Sequence, residues 1–240
     1  MRQVIPAAGN GATIDERRMA DIYERVKTPY KYGIVLAGSA EEMIDCPNVF
    51  RHHDRWYMIY IAFDGRGYET RLAESEDLLN WTPKGPILQR SGSGWDAEQA
   101  AAGLALIDYR WQGEWRLQKH ADRYWLSYLG GALPGYETPP LSIGMAASQT
   151  PTKATQWKRT PDHPVLTPSQ PDSRDWERDT LFKSHILYDP QQTLGFPFVM
   201  FYNARQLGPQ VERIGMAVSQ DLRHWQRYGV DPVIDHGPKP

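Results

Sequence analysis

One plan of segments occurs three times in this chain of 240 residues, and the repeat constrains the fold more than any single motif does. Each copy opens with an aromatic and apolar segment: Trp56-Tyr57-Met58-Ile59-Tyr60, Tyr124-Trp125-Leu126-Ser127-Tyr128 and Phe198-Val199-Met200-Phe201-Tyr202. A segment of small residues ending in Ala-x-Ser follows, at Ala73-Glu74-Ser75, Ala146-Ala147-Ser148 and Ala217-Val218-Ser219. Then come a tryptophan (Trp81, Trp157, Trp225) and a Pro-aliphatic pair (Pro86-Ile87, Pro164-Val165, Pro232-Val233). The three serines stand 73 and 71 residues apart. Sheet-forming segments that recur at a fixed period predict an array of like units.

Within the first unit the pattern reads as four strands: Asn48 to Arg51, Trp56 to Phe63, Tyr68 to Ser75, and an outer one starting at Trp81. The polar turn His52-His53-Asp54-Arg55, the loop Asp64-Gly65-Arg66-Gly67 and the turn from Glu76 to Asn80 divide them. Trp56 to Phe63 is almost continuously apolar, as a strand buried on both faces must be. The second unit reads as Gly103 to Tyr109, Trp115 to Tyr128 and Leu141 to Ser148, with an outer strand near Trp157. The third reads as a strand starting at Asp179, then Phe196 to Tyr202 and Arg213 to Ser219, with an outer strand near Trp225.

Four antiparallel strands in units of about 45–70 residues are the pattern of a β-propeller blade. The expected fold is therefore all-β, with blades over about 45–90, 100–168 and 179–234 in a propeller domain of residues 30–240. Residues 1–29 precede it as a loose arm over 1–12 and a helix from Thr13 to Lys27. Met19, Ile22, Tyr23 and Val26 recur there at helical spacing, a stripe expected to pack on the outside of the main body. Tyr30 to Leu36 reads as a short strand. Three blades do not close a ring, because propellers have at least four. An incomplete ring, truncated after residue 240, is the expectation.

Composition narrows the function. The formal net charge of −2 offers no broad basic field for nucleic acid or an anionic membrane. No apolar run approaches the roughly 20 residues of a membrane span. The first residues carry no apolar signal-peptide core, which makes the cytoplasm the default location, with the periplasm or secretion as the alternative for an incomplete N-terminus. The single Cys46 leaves no internal disulfide and no cysteine-cluster metal site. No cofactor and no metal-ligand spacing is read, although an axial calcium or sodium ion in a central channel stays open. Oligomeric state is not legible.

Topology concentrates chemistry on one rim. In an antiparallel blade, the loop before strand one and the loop between strands two and three lie at the same end. Asp45, Glu98, Asp179 and residues 235–240 are thereby placed beside the loops at 64–68, 131–136 and 204–211. Gly-Tyr-Glu-Thr occurs in two of those loops, carrying Glu69 and Glu137, and Glu212 holds a similar place in the third. Trp95 and Trp176, in rim loops, are candidate platforms for sugar rings. Glu98 is an alternative acid. Lys183 and His185 alternate with Phe182 and Ser184 and would line the channel if they point inward. Carboxylates for proton transfer beside aromatic platforms suit glycoside chemistry. His52-His53 lies at the opposite end and reads as solvated.

Asp45-x-Pro-x-Val-Phe-Arg, then Trp56-Tyr-Met-x-Tyr, then Ala73-x-Ser-x-Asp-Leu-x-x-Trp resembles the five-bladed propeller glycosidases, the superfamily of glycoside hydrolase families 43, 32, 68 and 117. The likeness runs over roughly residues 30–240 as a repeat plan. It implies a hydrolase of oligo- or polysaccharides, with a carbohydrate as its partner. It also implies that Asp45 acts as base or nucleophile, that Asp179 tunes the acid and orients the sugar, and that a general acid opens the next blade, beyond Pro240. Family-43-like enzymes invert, which sets the two carboxyls roughly 6.5–9.5 Å apart. Two alternatives are a mannoside-phosphorylase-like enzyme, which would need a basic cluster for phosphate, and a non-catalytic sugar-binding propeller.

Overall fold

The computed structural model describes residues 15–27, 32–110, 113–153, 156–208 and 210–235. The expectations for the arm at 1–12, the first residues of the helix, Tyr30-Lys31 and residues 236–240 lie outside the described residues.

The apolar, β-branched and aromatic segments form three four-stranded antiparallel sheets, each a simple meander. The first sheet holds β1 (Met43–His52), β2 (Arg55–Phe63), β3 (Tyr68–Ser75) and β4 (Thr82–Leu88). The second holds β5 (Gln99–Leu104), β6 (Tyr124–Gly131), β7 (Leu141–Ser148) and β8 (Lys158–Arg159). The third holds β9 (Thr180–Tyr188), β10 (Phe198–Arg205), β11 (Glu212–Ser219) and β12 (Trp225–Arg227).

The sheets stack face to face through side chains that alternate along each strand. Phe50, Ile59, Leu72, Ala100 and Leu126 fill the space between the first two. Trp125, Ile143, Met145, Leu181, Ile186, Phe198 and Met200 fill the space between the second and third. Truncating one of these, such as the fully buried Leu126, to alanine costs about 2–5 kcal/mol. Polar stitches accompany the packing. Thr70 Oγ1 donates to Ala100 O and accepts from Ala102 N, both at 2.8 Å, and Thr180 Oγ1 accepts from Leu141 N at 2.9 Å.

The first strands of the three sheets converge. Leu104 N donates to Asn48 Oδ1 at 3.2 Å, and Ser127 Oγ donates to Ser184 O at 3.4 Å. A Cβ on Gly103 would stand 3.4 Å from Asn48 Oδ1 and 3.9 Å from Ser184 O. β1, β5 and β9 thus surround a common axis, the arrangement of propeller blades.

The Ser-x-Asp-Leu-x-x-Trp motif builds the corner between third and fourth strands. Ser75 Oγ accepts from Leu78 N, Asp77 Oδ1 accepts from Leu79 N and Asn80 N, and Trp81 Nε1 donates to Leu78 O. The third sheet repeats this with Ser219, Asp221, Leu222 and Trp225. Leu78 and Leu222 both adopt positive φ, at 67° and 66°, which the side-chain hydrogen bonds of the turn sustain.

Several expectations need correction. Residues 32–36 form no strand: Tyr32 and Ile34 are exposed, and only Leu36 packs, against Met58 and Tyr60. The first strand of the second sheet is Gln99–Leu104, not Gly103 to Tyr109. Its alanines run unbroken apolar but lack β-branching, so they carry no strand signal of their own. The strand read from Trp115 starts only at Tyr124. Residues 113–123 instead make an excursion held by the isolated pairs Ile107 with Leu117 and His120 with Arg123, and turned by the positive φ of Trp115, Ala121 and Asp122. The helix, α1 (Glu16–Val26), is capped by Asp15, whose Oδ1 accepts from Arg18 N at 2.8 Å. Its apolar stripe does not pack as expected, since none of its residues is buried.

Candidate active site

The rim assembles as the topology requires. Arg66, in the β2–β3 loop, donates Nε and Nη2 to the two oxygens of Glu98, at 2.7 and 2.6 Å. The carbonyl of Arg66 accepts from Gly135 N, in the β6–β7 loop, at 2.7 Å. Arg213 donates to Asp235 at 2.8 Å on the third sheet.

Asp45 stands on β1 at the start of a bulge, where Cys46 and Pro47 lie opposite the single Tyr60 before pairing resumes at Asn48. Bulges turn a side chain out of the regular pleat. Asp45 is exposed, and its Oδ1 accepts from Cys46 N at 2.6 Å. Lys183, on β9, reaches across the axis to this place. Its Nζ lies 3.7 Å from Glu137 Oε1 and interacts with Cys46 and Asp45. Burial opposes its charge, but Cys46, Glu137 and Asp45 together hold the ammonium above its ordinary pKa. Burial likewise pushes the Cys46 thiol up, against the pull of Lys183. Tyr68 and Tyr136 wall the group, with ring centroids 5.7 Å apart and Phe63 against both. Burial, then the hydrogen bond with Tyr136 and the charge of Glu137, drive the Tyr68 hydroxyl well above the usual phenol range. Asp45, Glu137 and Lys183 are therefore gathered into one group with two tyrosines.

The other singled-out residues are placed differently. Asp179 Oδ2 accepts from Arg205 Nε at 2.7 Å, and Arg205 lies over Phe182, its guanidinium carbon 5.4 Å from the ring centroid. Phe182 belongs to the apolar cluster that includes Cys46, Phe63 and Tyr68, so Asp179 is connected to the Asp45 group through one aromatic side chain. The hydrogen bonds from Arg66 hold Glu98 below the usual carboxylate range. Glu69 and Glu137 are not equivalent in spite of their shared motif. Glu69 lies within β3 and faces Arg90, at 3.7 Å, whereas Glu137 sits in a loop at φ 47°.

Trp95 is seated in its sheet rather than held out to a ligand. A Cβ on Gly130 would run into its ring, and one on Gly144 would fall 2.6 Å from it. The ring also stacks on Tyr128 at 5.3 Å. Trp176 repeats this seat over Gly215 and Tyr202. The residue after each tryptophan anchors it. Asp96 accepts from Tyr128 and Arg159, and Glu177 from Tyr202 and Arg174. Arg227 adds a second ion pair to Glu177 at 2.6 Å. His185 faces Tyr109, centroid to centroid 5.4 Å, away from Lys183 along β9, and burial lowers its pKa.

Gln99 is the functional residue that sequence reading missed. It is fully buried, and its Nε2 donates to Leu133 O at 3.0 Å and Gly135 O at 2.6 Å, while Oε1 accepts from Tyr68 N at 3.3 Å. One side chain thereby ties together the two loops that supply Tyr68, Tyr136 and Glu137. Its only sequence signal is an amide at the first position of a strand otherwise made of small apolar residues.

No protein-family model and no curated protein matches the chain. Among solved structures, a glycoside hydrolase is 39% identical over 94% of this chain and 68% of its own, with a TM-score of 0.87. BT0996, in a complex with RGII, matches with 39% identity over 94% of this chain and 68% of its own, at a TM-score of 0.86. Zg3597, a family 117 glycoside hydrolase produced by the marine bacterium Zobellia galactanivorans, shares the fold, with 14% identity over 88% of this chain and 61% of its own and a TM-score of 0.64. The stacked four-stranded meanders around an axis are shared with these propeller-type glycoside hydrolases. The chain belongs to the glycoside hydrolases, enzymes that cleave glycosidic bonds.

Proposed function

We propose that the chain hydrolyses oligo- or polysaccharides by carboxylate chemistry, with Asp45 activating water against the anomeric carbon and Asp179 orienting the sugar. The observation that carries this reading is the gathering of Asp45, Glu137 and Lys183 with Tyr68 and Tyr136 at one end of the axis. An exposed carboxylate at a bulge can reach a water, the position a general base needs. Glu137 and Lys183 supply a hydrogen-bond acceptor and a donor for sugar hydroxyls. The pairing of Asp179 with Arg205 suits a holding role more than direct chemistry.

The proton donor is assigned outside the three described sheets. Glu98 is held ionised by Arg66 and is poorly suited to deliver a proton. In this reading the three sheets are three blades of a five-bladed ring, and a further blade brings the acid. The related hydrolases are longer, this chain covering 68% and 61% of them, which leaves room for further blades. An inverting reaction then requires a separation of roughly 6.5–9.5 Å between base and acid. The similar complex of BT0996 with RGII supports a carbohydrate substrate.

Asp45→Asn in the full-length protein tests the assignment. The expected result is a loss of about 10²–10⁴-fold in kcat on any glycoside the parent cleaves, with the melting temperature unchanged. Retained turnover would remove Asp45 from the mechanism.

A further inference from the structure

The end of the axis opposite Asp45 carries a second concentration of recognition chemistry. β1, β5 and β9 all run from the rim to this end, so His52, Tyr109, the excursion at 113–123 and the last residues of β9 meet there. Tyr109 and Trp115 are 45% and 48% exposed, far more than aromatic residues seated in the sheets, and their rings stand at 89° with centroids 5.8 Å apart. His185 faces Tyr109. The backbone ties this pair to β1 through Arg51 N, which donates to Trp115 O at 2.9 Å.

Cations adjoin the rings. Arg116 pairs with Arg51 along the backbone and Lys119 lies over Tyr124 at 5.0 Å. Burial, then His53, Lys119 and Arg116, lower the pKa of His52, so the charges felt there are positive. Two acids stand among these cations, Glu114 ion-paired with Arg116 and Asp108 ion-paired with Arg110, against Arg51, Arg110, Arg116 and Lys119. Exposed aromatic faces suit the apolar faces of sugar rings, and surplus cations suit carboxylates or sulfates on them.

We propose that Tyr109, Trp115, Arg116 and Lys119 form a second, non-catalytic site for an acidic polysaccharide at the end of the axis opposite the active site. Its role is to hold the polymer while the rim acts on a chain end or branch. The proposal stands apart from the assignment of Asp45, because it concerns binding at the other end of the molecule.

Affinity electrophoresis of the full-length protein through gels containing polygalacturonate, with neutral amylose as the comparison, tests it. The expected result is retardation by polygalacturonate alone, weakened at least tenfold in apparent Kd by Trp115→Ala and by the double change Arg116→Ser with Lys119→Ser, and relieved by salt. These side chains are exposed, so melting temperatures should match the parent. Lys183→Met and Glu137→Gln, at the rim, should leave retardation intact. No retardation of the parent, equal retardation by amylose, or loss only in the rim variants would each overturn the proposal.

Discussion

The side-chain amide of Gln99 donates to the carbonyl of Gly135 at 2.6 Å, and through that bond a buried residue on β5 fixes the loop that presents Tyr136 and Glu137. Replacing Gln99 by leucine leaves two carbonyls and the Tyr68 N–H without their partner. The expected cost is about 1–3 kcal/mol in stability for each group left dry. Activity should fall further than the melting temperature implies, because the loop loses its place beside Asp45. Gln99→Glu should behave alike, since a carboxylate cannot donate to the two carbonyls. Denaturant melts and steady-state kinetics on the same variants check this, and full activity in Gln99→Leu would show that the loop holds itself.

Lys183→Met should raise KM about tenfold, the size of one lost charge-assisted contact. Burial of a methionine of similar length preserves packing. A change confined to kcat would instead assign Lys183 to the chemical step.

Gly144→Ala and Gly215→Ala should each destabilise by about 1–3 kcal/mol, the range for overpacking. The new Cβ at Gly144 would stand 2.6 Å from the rings of Trp95 and Tyr128, and at Gly215 within 2.7 Å of Trp176 and Tyr202. Urea melts measure it. If Trp95 were a mobile sugar platform, Gly144→Ala would leave stability alone and alter KM.

Acid should weaken the fold through its turn carboxylates. Burial works against Asp64, but Arg90 and the N–H groups of Gly67 and Arg66 hold it at about 2, below its ordinary 3.8. Asp221 is held at about 2 as well, by His224 and Arg223 against a burial effect. A folded-state value below the unfolded one means stability that is complete above 3.8 and is lost as pH falls toward 2. Both groups are partly exposed, so each contributes modestly. Asp64→Asn should flatten the decline of melting temperature over that window, and an unchanged slope would exclude Asp64 as a source.

Much of this was legible because repetition supplies its own control. Trp56 to Phe63 announced β2, and the Ser-x-Asp-Leu-x-x-Trp corner announced the outer strands of the first and third sheets, while the second has Ser148-Gln149-Thr150-Pro151 in its place. β5 was misplaced because Ala100, Ala101 and Ala102 carry no strand preference of their own; Thr70 of the neighbouring sheet holds them. Rim topology puts Asp45 and Glu137 at one end, and Lys183 reads only as lining the channel if it points inward; the unlike settings of Glu69 and Glu137 were not legible, since identical tetrapeptides fell at different points of the meander. Trp95 misled for a physical reason: a tryptophan in a rim loop reads as available, and only the glycines opposite, 35 and 49 residues later, reveal a slot cut for it.

That slot also sets an order of construction. Trp95 and Asp96 leave the ribosome before β6 and β7, yet Gly130, Gly144, Tyr128 and Arg159, which receive them, all come later. Packing β5 before those residues exist would leave the indole uncovered and bury the Asp96 carboxylate without its counter-charge, at a cost on the order of several kcal/mol. A nascent chain that stops short of Arg159 therefore gains little from β5 alone. In the third sheet Trp176 waits in the same way for Tyr202 and Gly215, whereas Glu177 already has Arg174 beside it before Arg227 arrives.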